Sequence, residues 1–156
     1  MLDPEVAHDI RRCFRYLFEE FGYALAIVRQ YDSFGNWAVV LESGRCGLIR
    51  ITQDRGEVFL AISPRWTPVT WQSGPWYGLD VVIRYLSSGR DRVEPAVLPP
   101  AQQLDHLATL LRPYVPQLCD LFEESAFADA REGLEQLRQE VEDEVWQRLL
   151  GGNHTT

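Results

Sequence analysis

The sequence predicts an α+β domain in which helices flank an antiparallel sheet, and three observations predict it. Apolar residues recur at three- and four-residue steps from Val6 to Phe21. Four short segments rich in β-branched and aromatic residues follow between Tyr23 and Ile62, parted by turn-forming residues. The helical period then returns from Leu79 to Leu149.

Each element has a local cause. Asp3 suits an N-cap, Pro4 the first helical position and Glu5 the positive end of the dipole. Val6, Ile10, Cys13, Phe14, Leu17, Phe18 and Phe21 form one stripe, and Gly22 stops the helix. Strands are expected over 23–31, 37–42, 45–52 and 57–62. The turns between them are residues 32–36, a two-residue loop Ser43-Gly44, and Asp54-Arg55-Gly56, with Gly56 free to take positive φ. Tight turns leave only a four-stranded meander, with the first helix on one face. The unbroken run Ala38, Val39, Val40, Leu41 predicts a strand covered on both faces, with helices from the C-terminal half supplying cover. Trp37, at a strand start, is expected in the core.

Residues 63–78 hold Pro64, Pro68 and Pro75 with Trp66, Trp71 and Trp76, and predict a loop. Leu79, Val82, Ile83 and Leu86 predict a short helix ending near Gly89, followed by a connector over 91–100. A longer stripe runs from Leu104 to Phe122, where Pro113 and Pro116 each remove a backbone donor; one kinked helix and two helices both fit. Ser125 is the expected cap of a last helix carrying Phe127, Ala130, Leu134, Leu137, Val141, Val145 and Leu149. One domain over 1–150 and a disordered tail over 151–156 complete the expectation.

Composition excludes several chemistries. All 15 basic residues among the 156 are Arg. Without Lys there is no Schiff-base chemistry, no Walker A phosphate loop and no kinase strand lysine. Cys13, Cys46 and Cys119, like His8, His106 and His154, are scattered without metal-ligand spacing, so neither a metal nor any other cofactor is expected. Three separate thiols read as a reduced cytoplasmic protein. The start has no basic-then-apolar order of a secretory signal, and no apolar run is long enough to span a bilayer. G-x-S-x-G, H-E-x-x-H and G-x-G-x-x-G are missing, and a Glu42–Glu57 carboxylate pair is unspecified, so no catalytic residue is assigned.

Three constellations remain. Residues 1–98 carry 11 Arg and 12 acids, net −1, whereas 99–156 carry 4 Arg and 11 acids, net −7. Glu132, Glu135, Glu140, Glu142, Asp143 and Glu144 make the last helix a solvated face or a dock for a basic protein, and net −8 disfavours nucleic acid. Trp66, Trp71 and Trp76 read as core filling or as a binding patch. Arg45, Arg50, Arg55 and Arg65 read as a solvated row or an anion clamp; a site between sheet and loop would use Arg50, Arg65 and Trp71.

Residues 18–62 resemble a pattern of small uncharacterised bacterial proteins, marked by Phe18-Glu19-Glu20-Phe21-Gly22-Tyr23, Asp32-Ser33-Phe34-Gly35-Asn36, Val39-Val40-Leu41-Glu42-Ser43 and Asp54-Arg55-Gly56-Glu57-Val58-Phe59, with Trp76-Tyr77-Gly78-Leu79 following. That resemblance covers about a third of the chain and implies no catalytic residues. The plan of helix, meander and trailing helices is similar to that of bacterial immunity proteins, which neutralise toxins by binding. The expected function is therefore non-enzymatic protein binding with an immunity-like role. Its expected contact residues are Trp66, Trp71, Trp76, Glu135, Glu142 and Asp143, and its expected partner is a basic protein. The alternatives are a small-molecule-binding protein or unfamiliar enzyme, and a module that dimerises through residues 126–150, whose apolar positions repeat at near-heptad spacing.

Overall fold

The computed structural model describes residues 2–32, 35–64, 75–93 and 97–151. The first stripe forms two helices, α1 (Pro4–Cys13) and α2 (Arg15–Glu20), which break at Phe14. The Asp3 carboxylate caps α1 by accepting from the Glu5 amide at 2.8 Å. Strands β1 (Ala24–Gln30), β2 (Trp37–Glu42), β3 (Leu48–Asp54) and β4 (Glu57–Ser63) follow as an antiparallel meander. A two-residue strand β5 (Tyr77–Gly78) adds to β4, so the sheet has five strands and the expected 63–78 loop ends as part of it.

The turn after β3 is made by Arg55 and Gly56, both at positive φ (52° and 83°). Asn36 holds Arg55 there, accepting from its amide at 2.9 Å while donating to Asp54 at 3.1 Å. The expected two-residue loop at Ser43-Gly44 is instead a five-residue connection over 43–47. Side-chain chemistry overrides the tight turn. The Ser43 hydroxyl donates to the Phe21 carbonyl and accepts from the Arg45 amide. The Tyr23 hydroxyl donates to the Gly47 carbonyl. Cys46 forms a disulfide with Cys119. The reading of three reduced thiols is thus corrected: Cys13 is the free cysteine, and burial pushes its thiol pKa up.

In the C-terminal half, α3 (Leu79–Leu86), α4 (Pro100–Leu111), α5 (Val115–Leu121) and α6 (Glu124–Gly151) are helical. The two prolines do split the 104–122 stripe: Pro113 lies in a 3-10 turn over Arg112–Tyr114, and Pro116 sits in the first turn of α5, where a missing donor costs nothing. Because α6 begins at Glu124, Ser125 lies inside its first turn instead of capping it. At its other end α6 includes Gly151, and the rest of the expected tail lies outside the described residues.

Alternation in the strands separates two sheet faces. Val39, Leu41, Ile49, Ile51, Val58, Leu60 and Ile62 join one apolar cluster with side chains from all six helices, including Ile10, Leu17, Val82, Leu111, Leu118 and Leu134. Each described helix thus contributes to the cover of this face. The opposite face bears Ala38, Val40, Leu48 and Ala61, which are buried too. The apolar run at 38–41 is fully buried, as its continuity predicts, and Trp37 is core. Gln103 fastens α4 to the sheet end: its carbonyl accepts from the Val58 amide at 2.8 Å, and its amide donates to the carbonyls of Gly56 and Leu98.

Candidate functional site

Helix α6 has 28 residues, about 42 Å of length at 1.5 Å per residue. Its first half is core. Phe127, Ala130 and Leu134 are buried, and Gly133 lets the Tyr85 ring close in: a Cβ there would sit 3.0 Å from Tyr85 Cε2. Two polar locks hold the middle. In the first, the Tyr77 hydroxyl donates to Glu135 Oε1 at 2.8 Å, and Arg138 pairs with Glu135 Oε2. Arg138 also lies 5.2 Å from the Tyr77 ring centroid and reaches the Trp76 carbonyl. In the second, Arg84 of α3, 8% exposed, pairs with Asp80 at 3.0 Å and Glu144 at 2.8 Å. Arg92 adds a longer contact to Glu144. These charges line a cleft of about 260 Å³ together with Val93, Val141, Val145 and Arg148.

Past this second lock the helix surface changes character. Val145 is 46% exposed, Trp146 62%, Leu149 62% and Leu150 57%. Positions 145 and 149, and 146 and 150, are one turn apart, so the four form two adjacent columns on one face. Exposed Glu140, Glu142 and Asp143 lie one to two turns before them. The arrangement is an apolar patch with acidic residues along its N-terminal side and the exposed Arg148 within it.

The expected contact residues separate. Trp66 and Trp71 lie outside the described residues, as does Arg65. Trp76 is half-buried, with the Arg50 guanidinium 4.6 Å from its ring centroid. This stack occupies the described part of the site imagined between sheet and loop, and burial lowers the Arg50 pKa. Glu135 is held by Tyr77 and Arg138 within the fold. Glu142 and Asp143 stay exposed on α6, Asp143 accepting from Gln139 at 3.0 Å. The arginines do not form a row: Arg45 is in the 43–47 connection, Arg50 on β3 and Arg55 in the turn. Glu42 and Glu57 sit at opposite ends of the sheet, since Glu57 pairs with Asp54 at the far end of β3. Among the described residues no His, Cys, Asp and Glu side chains gather in a group that could hold a metal, and no helix is long and apolar enough to cross a membrane.

Sequence reasoning placed Val145 and Leu149 on a buried stripe and passed over Trp146. The available signal was local. At Val145-Trp146 and Leu149-Leu150 the stripe widens from one column to two, which a helix packed by a single seam does not need. Comparison with family models, with curated proteins and with solved structures returned no match.

Proposed function

We propose that this protein is a non-enzymatic binding domain that docks a basic protein partner on the outer end of α6, in the immunity-like manner of a chain that neutralises by occupying a surface. The observation that carries this reading is the exposure of Val145, Trp146, Leu149 and Leu150 within six positions. A contiguous apolar patch with a polar rim marks an interaction site on a protein surface. Trp is the residue type most enriched among binding hot spots. The border of Glu140, Glu142 and Asp143, on a chain of net −8, selects a basic partner by complementary potential and speeds its approach. An extended nucleic acid would meet the same charge as repulsion.

The test is capture from the native host with three baits: the wild type, Trp146→Ser with Leu149→Ser, and Glu142→Gln with Asp143→Asn. The reading expects a partner with a basic surface. The apolar double variant should lose it, and the charge variant should weaken it, as should added salt. A partner held equally by all three baits overturns the proposal. Light scattering at micromolar concentration treats the remaining occupant. A dimer that the apolar double variant dissolves would assign the patch to a second copy through residues 126–150.

The location proposed with this reading follows the cysteines. Three thiols suit the cytoplasm expected from the sequence, whereas a bridge between Cys46 and Cys119 suits an oxidising compartment, which is the location proposed. Thiol titration of the denatured protein taken from its host decides between them. The bridged form shows the single thiol of Cys13, and the reduced form shows all three.

A further inference from the structure

The surface of α1 and α2 that faces away from the core carries a second cavity, independent of the α6 patch. It measures about 470 Å³, and its described lining is His8, Arg11, Arg12, Arg15, Phe18 and Glu19. The spacing explains the gathering. Positions 8, 11 and 12 share one face of α1, and 15, 18 and 19 one face of α2; the two faces meet across the break at Phe14, beside the buried Ile10 and Leu17. Three guanidiniums and an imidazole thus share one wall, in a chain whose net charge is −8.

Their existing partners are weak holds. Arg12 reaches Asp9 at 3.6 Å and Arg15 reaches Glu19 at 3.3 Å, with both arginines more than half exposed. A charge-assisted hydrogen bond to carboxylate closes to about 2.7–2.9 Å, so these longer, hydrated contacts give way to a better acceptor at little cost. Arg11 lies over the Phe18 ring, 5.4 Å from its centroid, which makes a flat apolar and cationic platform at one end of the cavity. Phe18 itself is fixed from behind, since it packs against the core cluster.

We propose that this cavity binds a small organic anion: one carboxylate or phosphate group carried on a flat apolar body. The oxyanion would take the forked donors of Arg11, Arg12 and Arg15, and the body would lie against Phe18. The volume suits a compact ligand. Glu19 at the rim, and the surplus negative charge of the chain, select against long polyanions.

The experiment uses phenyl phosphate, benzoate and inorganic phosphate as probes on the full chain, followed by NMR of the backbone amides and the Arg Nε–H groups. Saturable shifts should cluster on residues 8–19, and phenyl phosphate should bind at least about fivefold tighter than inorganic phosphate, because only it can use Phe18. Benzoate against phenyl phosphate identifies the preferred oxyanion. Arg11→Gln with Arg15→Gln should weaken binding about tenfold or more, each lost fork removing a charge-assisted pair. Both residues are exposed, and an unchanged thermal melt verifies the fold of the variants; Arg12→Gln gives a second, separate variant. No saturable shift with any probe up to about 10 mM, weaker than any useful site, overturns the proposal. So does an affinity that the arginine variants leave unchanged, or equal affinity for phosphate and phenyl phosphate.

Discussion

The Tyr77 hydroxyl donates to Glu135 Oε1 at 2.8 Å, and through this bond the edge strand of the sheet holds the middle of the longest helix. The Tyr77 ring is fully buried, whereas Glu135 is half-buried and shared with Arg138. The pair lies between the core half of α6 and its exposed outer end. Tyr77→Phe keeps the ring and removes the donor. It should lower stability by about 1 kcal/mol, the net worth of one such bond, and the melting temperature by about 2–4 °C. Amide exchange should quicken over 136–150 more than over 124–134, which a calorimetric melt and hydrogen exchange together would reveal. Uniform quickening along α6 would mean that the two halves are not separated at this residue.

The second lock predicts an acid response. Hydrogen bonding from Arg84 holds the Glu144 carboxyl below its ordinary value of 4.5. A carboxyl whose folded pKa is depressed contributes stability above its unfolded value and loses it as pH falls through the folded one. The α3–α6 contact should therefore loosen below about pH 4.5, and Glu144→Gln should flatten that part of the stability-against-pH curve. Arg84→Met should cost more at neutral pH, about 2 kcal/mol. That is less than the full penalty for a broken buried pair, because Asp80 and Glu144 retain water contact. Urea unfolding at pH 7 and pH 4 would measure both.

The meander was legible because short-range chemistry specifies it. The β2 bounds match the expected 37–42, and Gly56 takes the positive φ its turn requires. Positions decided by distant partners were not legible. Cys46 and Cys119 are 73 residues apart, and nothing local in either says that the 43–47 connection will meet α5. Glu135 and Glu142 read alike in sequence, as acids on one helix. Only the arrival of Tyr77 beside the first and of nothing described beside the second makes one structural and leaves the other on the surface. The exposed end of α6 escaped for a related reason: periodicity shows which side chains share a face but not where the body beneath that face stops.

The disulfide makes a direct prediction for folding. It closes a long loop, and in the chain-entropy view such a bridge is worth about 4 kcal/mol relative to the reduced chain. Cys46 is 1% exposed and Cys119 is partly buried, so the fold hinders a reductant's approach to the bridge. Native protein should resist dithiothreitol for far longer than protein in urea, and the reduced form or Cys46→Ala should unfold at clearly lower urea. Rapid reduction without loss of structure would place the bridge at the surface.

Three tyrosines predict alkaline sensitivity. Burial is the first cause that raises the pKa values of Tyr16, Tyr23 and Tyr77 above the ordinary 10.0. In the folded chain each therefore keeps its proton at a pH where the unfolded chain has released it. Stability from this source is complete below pH 10 and falls as pH rises above that value, because the unfolded state then binds fewer protons. Urea midpoints between pH 8 and 11 should drop with a slope that Tyr23→Phe reduces. A flat profile would contradict the burial of these hydroxyls.

Gly47 makes the last and sharpest packing prediction. It adjoins Cys46 in the 43–47 connection, and its carbonyl accepts from the Tyr23 hydroxyl. A Cβ built there would lie 2.7 Å from the Ser63 carbonyl oxygen and 3.3 Å from Phe122 Cβ. The first contact is with the backbone of β4, which is paired to Leu48 and cannot step aside without disturbing that register. The second is with a fully buried ring stacked on Phe127. Relief has to come from moving the connection, which the disulfide to α5 and the Tyr23 bond both restrain. Gly47→Ala should therefore cost about 1–3 kcal/mol, the range of an overpacked core, although Ala is smaller than any other side chain that could be placed there. Gly44→Ala, three residues earlier with no atom near its Cβ position, is the matched control and should change the urea midpoint very little. Equal midpoints for the two variants would show that the sheet and α5 do not close on Gly47 as described.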